Sequence, residues 1–259
     1  MIHVYDSISL IFIKNFCTYI AIILFIDTAN AQIPTNGLVG YYPFNGGAND
    51  ESNYLNHGTI SGATLTKNRF GEIDGAYLFN GINQYIEIPD ADQLSISTTK
   101  ELSISVWMRC DTLNFLSAEK EYVHWMGKGI SGQHEWTLRI YDLNSYRPNR
   151  TSCYVFNLSG GLGSGSYVEE SIKTGVWIHY VVVYNYPANS IMWYKNGELK
   201  DTDQFSDYNV KPNNGKAPMR VGTRDYNSFF KGAIDDIRVY SRVLNASEIN
   251  ELYHENDWK

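Results

Sequence analysis

Residues 102–109 read Leu-Ser-Ile-Ser-Val-Trp-Met-Arg, an unbroken alternation with a period of two. That period fits a strand and not a helix. It puts Leu102, Ile104, Val106 and Met108 on one face and Ser103, Ser105, Trp107 and Arg109 on the other. A strand with one apolar face must bury it against a second layer, so the rest of the chain has to supply one. It does so with more strands. Short β-rich runs at 38–44, 77–79, 85–88, 136–141, 177–184, 191–195 and 229–240 are separated by Gly, Asn, Asp and Ser clusters. This is the texture of an all-β sandwich. The 20 tyrosines suit pleated, half-buried surfaces.

Some local expectations are sharper. The run 177–184 is almost wholly apolar or aromatic, which predicts a central strand buried on both faces. Asn80-Gly81 and Asn196-Gly197 each sit between two runs and predict two hairpins. One helix is expected. Asn245-Ala246-Ser247-Glu248 is a capping-box sequence, and Ile249, Leu252 and Tyr253 follow on one face. This short C-terminal helix is expected at the sandwich edge. The glycine-rich stretch 159–166 lacks the Gly-Lys-Ser/Thr ending of a phosphate-cradling loop, so a flexible rim loop is expected there.

Residues 1–31 have the pattern of a secretory signal. Lys14 precedes an apolar run, and Ala29-Asn30-Ala31 offers a small-x-small cleavage site before Gln32. The apolar core, 20–26, is short of the roughly 20 residues that a membrane span needs. The expected mature chain is a single domain over 32–259 with no membrane span, secreted to an extracellular or periplasmic site. The whole chain carries a net charge of −7 and no Lys/Arg cluster, which argues against nucleic acid as a partner. Of the cysteines, Cys110 and Cys153 would survive processing. Export permits a disulfide between them, and two separate buried thiols are equally compatible with the sequence.

Several segments, taken in order, resemble the laminin-G-like, pentraxin-related jelly rolls of the concanavalin A type. The opening 37–46 (Gly-Leu-Val-Gly-Tyr-Tyr-Pro-Phe-Asn-Gly) is similar to the family's first strand. The stretch 49–59 resembles its Asp-x-Ser-Gly-Asn-x-Asn-His-Gly loop, and 79–86 its Phe-Asp-Gly-x-x-Asp-Tyr hairpin. Residues 177–181 resemble its central strand, and 231–240 (Lys-Gly-Ala-Ile-Asp-Asp-Ile-Arg-Val-Tyr) its closing strand. Two departures stand out. Asn53-Tyr54 replaces the usual Gly-Asn, and Gln84 replaces an acid before the hairpin tyrosine. The resemblance implies a two-sheet antiparallel jelly-roll sandwich, often with structural calcium, that recognises a polysaccharide or a glycoprotein glycan. A fold hosts many functions, so a protein-interaction or adhesion domain is the alternative.

Calcium needs six to eight oxygen ligands. The oxygen-rich loop 45–58 and the closing strand supply candidates: Asp50, Asn56 and Asp236. Adjacent strand residues face opposite ways, so only one of Asp235 and Asp236 is expected to serve a given site. His57 is expected to hydrogen-bond and not to bind metal. For sugar contact, aromatic rings suit the apolar faces of pyranoses, and the candidates are Trp107, Trp125, Trp136 and Tyr141, with Arg109 beside Trp107 on one strand face. Trp177 is expected in the core and Trp258 at a mobile terminus. The chain is expected not to be an enzyme. Glu72-Ile73-Asp74 matches only the first half of the Glu-x-Asp-x-(x)-Glu strand motif of concanavalin-like glucanases. A retaining glycoside hydrolase needs two carboxyl groups about 5–5.5 Å apart, and the second acid is missing here.

Overall fold

Fifteen strands order themselves into two antiparallel sheets in the computed structural model, which describes residues 33–116 and 121–259. In chain order they are β1 (Leu38–Tyr42), β2 (Thr59–Ser61), β3 (Thr64–Thr66), β4 (Ala76–Asn80), β5 (Tyr85–Ile88), β6 (Glu101–Cys110), β7 (Tyr122–Ile130) and β8 (Gln133–Tyr141). Then follow β9 (Arg150–Asn157), β10 (Gly160–Glu169), β11 (Trp177–Asn185), β12 (Ser190–Lys195), β13 (Glu198–Asp203), β14 (Met219–Val221) and β15 (Lys231–Tyr240). The helices are α1 (Ile96–Thr99) and α2 (Ala246–Tyr253). The expected signal segment and its cleavage point before Gln32 lie outside the described residues.

The eight-stranded sheet runs β13-β12-β11-β6-β15-β4-β3, with β1 also paired to β15. The seven-stranded sheet runs β10-β9-β8-β7-β14-β5-β2. Between them lies the main core. β6 contributes Leu102, Ile104, Val106 and Met108 to it, as its alternation predicts, and β8 contributes Trp136, Leu138 and Ile140. β11 is buried on both faces. Ile178, Tyr180, Val182 and Tyr184 enter the main core, while Val181 and Val183 join a second cluster on the outer face of the same sheet.

That second cluster corrects the placement of the C-terminal helix. Ile249 and Leu252 of α2 pack on Val181, Val183, Tyr194 and Tyr240. The helix therefore covers the outer face of the eight-stranded sheet and not the sandwich edge. Its predicted capping box is present, since Asn245 Oδ1 accepts from the Glu248 N–H and the Glu248 carboxylate accepts from the Asn245 N–H.

The two Asn-Gly signals diverge. At Asn196-Gly197 both residues take positive φ, 51° and 79°, and β12 pairs with β13 as a hairpin. At Asn80-Gly81 the expected hairpin does not form. β4 pairs with β15 and β3 in one sheet, whereas β5 pairs with β14 and β2 in the other. The turn carries the chain from sheet to sheet, with Asn80 Oδ1 accepting from the Ile82 and Asn83 N–H groups. Turn chemistry specifies a reversal and leaves the pairing partner open.

The predicted rim loop at 159–166 is also corrected. It belongs to β10, the outermost strand of the seven-stranded sheet. Cys110 and Cys153 are free, buried thiols, one on each sheet, so of the two alternatives the disulfide is not formed. Burial pushes each thiol up to about 12.

Candidate functional site

The strands β7 to β10 turn alternate residues inward to the core and outward to solvent. Val123, Trp136, Leu138, Ile140, Cys153 and Val155 take the core side. Their neighbours Tyr122, Arg139, Tyr141, Arg150, Tyr154 and Phe156 consequently share the opposite face. These outward residues line a groove of about 800 Å³. Tyr146 and Arg147, from the segment after β8, line it too, as do Asp203 at the end of β13 and Asp207 and Tyr208 just beyond it. The volume lies in the usual range for ligand clefts.

Glycines in β10 make the groove possible. Gly161, Gly163 and Gly165 all line it. A Cβ on Gly163 would lie 2.6 Å from the Phe156 ring, and one on Gly165 would lie 2.0 Å from the Cys153 carbonyl and 2.6 Å from the Tyr154 ring. The missing side chains let the β9 rings lie over the neighbouring strand. A rich aromatic floor results, with guanidinium groups laid across it. The Arg139 guanidinium carbon sits 4.1 Å from the Tyr122 ring centroid and 4.7 Å from that of Tyr154. The corresponding distance from Arg150 to Tyr167 is 3.8 Å. Such cation–π contacts hold the rings and the cations in fixed places.

The rim is apolar and exposed. Tyr146 is 75% exposed, Leu162 74% and Tyr208 53%. Beneath the rim, burial raises the Tyr154 phenol above its ordinary range, so this group is a neutral hydrogen-bonding hydroxyl at neutral pH. Burial, then a hydrogen bond shared with Asp201 and the charge of that carboxylate, pushes Asp203 up to about 6.

Most of the sequence-predicted contact residues are elsewhere. Trp125 and Trp136 are fully buried in the core between the sheets, so they cannot line an open surface. Trp107 is also fully buried, but on the far side of the eight-stranded sheet, its ring 4.9 Å from His179 and 5.9 Å from Tyr253. Arg109 pairs with Asp111 at 2.8 Å and lies over Trp177 on that same sheet. Trp177 is only half-buried. Trp258, expected to be mobile, sits 5.0 Å from Trp107 and 5.8 Å from Phe70. Tyr141 alone of the five reaches the groove.

The calcium set fares no better. Asp50 Oδ1 accepts from the Tyr41 and Ser52 N–H groups, and Oδ2 from that of Asn56. The Asp50 N–H in turn donates to His57 Nδ1, the structural role expected for that histidine. Asp236 is engaged separately. A register shift in β15 after Asp235 and a φ of 46° at Asp236 break the alternation of the strand. Both carboxylates thereby reach Arg69, at 3.3 Å for Asp235 and 2.5 Å for Asp236. Glu255 completes the ring, 3.2 Å from Arg69 and 2.7 Å from Arg238. Backbone N–H groups thus occupy Asp50, and a guanidinium occupies Asp236. Among the described residues no three His, Cys, Asp or Glu side chains are grouped to hold a metal. Asp50, Asn56 and Asp236 do not fit a calcium shell.

Glu72 and Asp74 lie exposed in a turn, where Asp74 has a φ of 60°, so the half-motif has no strand face to share.

Signals for the groove were present in the sequence. Arg139 and Tyr141 alternate with Trp136, Leu138 and Ile140, and glycines recur at 161, 163 and 165. What was missing was the knowledge that these segments are neighbours.

Comparison with known proteins agrees with the architecture. Domain 4 of AbnA, a GH43 extracellular arabinanase from Geobacillus stearothermophilus solved in complex with arabinotriose, superposes with a TM-score of 0.64 at 20% identity, covering 85% of this chain and all of that one. The binding domain of botulinum neurotoxin serotype D gives 0.64 at 18% identity, covering 85% of this chain and 52% of that one. In sequence, Paraclostridial mosquitocidal protein 1 of Paraclostridium bifermentans is 23% identical over 178 residues, which are 66% of this chain and 14% of that protein. The chain therefore spans only a small part of that relative. Residues 80–250 match the concanavalin A-like lectin/glucanases superfamily, and the chain belongs to that family.

Proposed function

We propose that this protein is an exported, non-catalytic carbohydrate-binding module and that its ligand lies in the groove over β7 to β10. One observation carries the reading: aromatic side chains and hydrogen-bonding groups converge on an open cleft of about 800 Å³. Pyranose and furanose rings offer apolar C–H faces to Tyr122, Tyr154 and Tyr167, and hydroxyls to the arginines between them. The arabinotriose complex of the arabinanase domain supports the reading as a ligand type that this fold accommodates. No metal is assigned to the groove; Arg69 and Arg238 pair with Asp235, Asp236 and Glu255 on the other sheet.

The test is a glycan array probed with the protein and with Tyr154→Ala. Binding to a polysaccharide class that the substitution weakens about tenfold or more supports the assignment. Silence across the array, with capture of a protein partner that Tyr146→Ala or Tyr154→Ala abolishes, would assign the groove to protein recognition instead.

A further inference from the structure

We infer that the saccharide this groove takes is anionic, its carboxylate or sulfate oxygens received by Arg139 and Arg147. The inference rests on the groove being a glycan site and adds the ligand's charge. It comes from how the molecule treats its other arginines. On the outer face of the eight-stranded sheet, Arg69 meets Asp235, Asp236 and Glu255, and Arg238 meets Glu255. Near the groove, Arg150 is paired with Glu169 and Arg224 with Asp225. Where this fold shelters a guanidinium for structural reasons, it also supplies a carboxylate.

Arg139 breaks that pattern. It projects from the middle strands of the groove floor, clamped between Tyr122 and Tyr154, and makes no ion pair with any described residue. Its Nε is buried and has no hydrogen-bond partner among the described residues. A sheltered donor left unmatched is costly, and a guanidinium fork fits a carboxylate or sulfate edge with two parallel hydrogen bonds. Arg147 stands on the adjoining segment, 5.0 Å from the Tyr146 ring centroid, likewise without an ion pair among the described residues. The acidic groups of the lining are Glu121, Asp203 and Asp207. Asp207 caps the turn at Gln204, and Asp203 ends β13, past the edge strand β10. β8, which carries Arg139, and the edge strand β10 are two spacings apart, roughly 10 Å at 4.8 Å per strand, and Asp203 and Asp207 come from outside that sheet. The field of Arg139 is also felt beneath the floor. Burial is the main cause that lowers the buried His124, and the charges of Arg224 and Arg139 add to it.

The experiment is calorimetric titration of the full chain with four oligosaccharides of equal length on one backbone: galactan, galacturonan, methyl-esterified galacturonan and a sulfated galactan without carboxylates. The expected result is binding of galacturonan, sulfated galactan or both at least about tenfold tighter than the uncharged pair, weakening with added salt. Preference between the two anions identifies the oxyanion. Arg139→Gln should cost the anionic ligand about tenfold or more and the uncharged ones several-fold less than that, while Arg139→Lys should recover part of the anionic loss. Arg147→Gln is the second variant, on a segment outside the sheet. Equal affinity for charged and uncharged oligosaccharides, unaltered by either Gln variant, would overturn the anionic assignment and leave the glycan site standing. No binding of any of the four, together with a silent array, would overturn both.

Discussion

The two outer faces of the sandwich use the same ingredients to opposite ends. Each lays arginine over aromatic rings: Arg69 over Trp107 and Phe70 on one, and Arg139 over Tyr122 and Tyr154 on the other. On the eight-stranded sheet the chain closes the surface itself. α2 and the residues after it cover Trp107 and His179, and Glu255 reaches back to both arginines. On the seven-stranded sheet nothing described covers the rings, and Arg139 makes no ion pair with a described residue. Aromatic–arginine layers are thus structural when a carboxylate and a helix complete them, and available to a ligand when neither does.

The sharpest way to break this contrast is to remove the cation from the closed face. Arg69→Ala would leave the buried Asp235 without its cation, and Asp236 and Glu255 with Arg238 alone, and urea denaturation should register a loss of about 3–5 kcal/mol. The same substitution should leave glycan affinity unchanged, which separates the two faces.

Acid titration tests the closed face differently. His179 is buried, and burial followed by the charges of Arg69 and Arg238 lowers it to about 3. Its folded value lies below the unfolded one. Stability from the neutral ring is therefore complete above about pH 6.5 and is lost as pH falls from there towards 3. His179→Gln should flatten the pH dependence of the melting temperature over that window, and a curve parallel to the parent's would refute this account.

On the open face, Gly163→Val forces a side chain against Phe156. The expected cost is about 1–3 kcal/mol in stability together with weakened glycan binding, because the aromatic floor shifts. Tyr146→Ala should do the reverse of Arg69→Ala, with stability held within about 0.5 kcal/mol and affinity reduced.

The smallest expected effect is none. Neither chelator nor reductant should move the melting temperature, since Arg69 serves where calcium was expected and the thiols are separate. A fall of several degrees with EDTA would restore the metal.

Much of the fold was legible because period-two burial and capping chemistry are local. The alternation of β6, the doubly buried β11, the Asn196-Gly197 hairpin and the Asn245 cap all followed from neighbouring residues. The site was far less legible. Of five expected ligand contacts only Tyr141 lies in the groove, because tryptophan identity says nothing about which side of a sheet is covered. Trp107 is on the outward face of β6, as its alternation implies, yet α2 closes over it.

The sequence by itself determined the strands with clear alternation, such as β6 and β11, the inward residues of β6 and the C-terminal cap, since these depend on spacings of two to four residues. Tertiary structure alone decided which Asn-Gly turn pairs its strands and which changes sheets. It also decided that a bulge at Asp236 turns two carboxylates onto one arginine, and which aromatic face stays open. Those outcomes depend on contacts between residues far apart in the chain, such as Arg69 with Glu255 or Gly163 with Phe156, and only chain folding brings such pairs together.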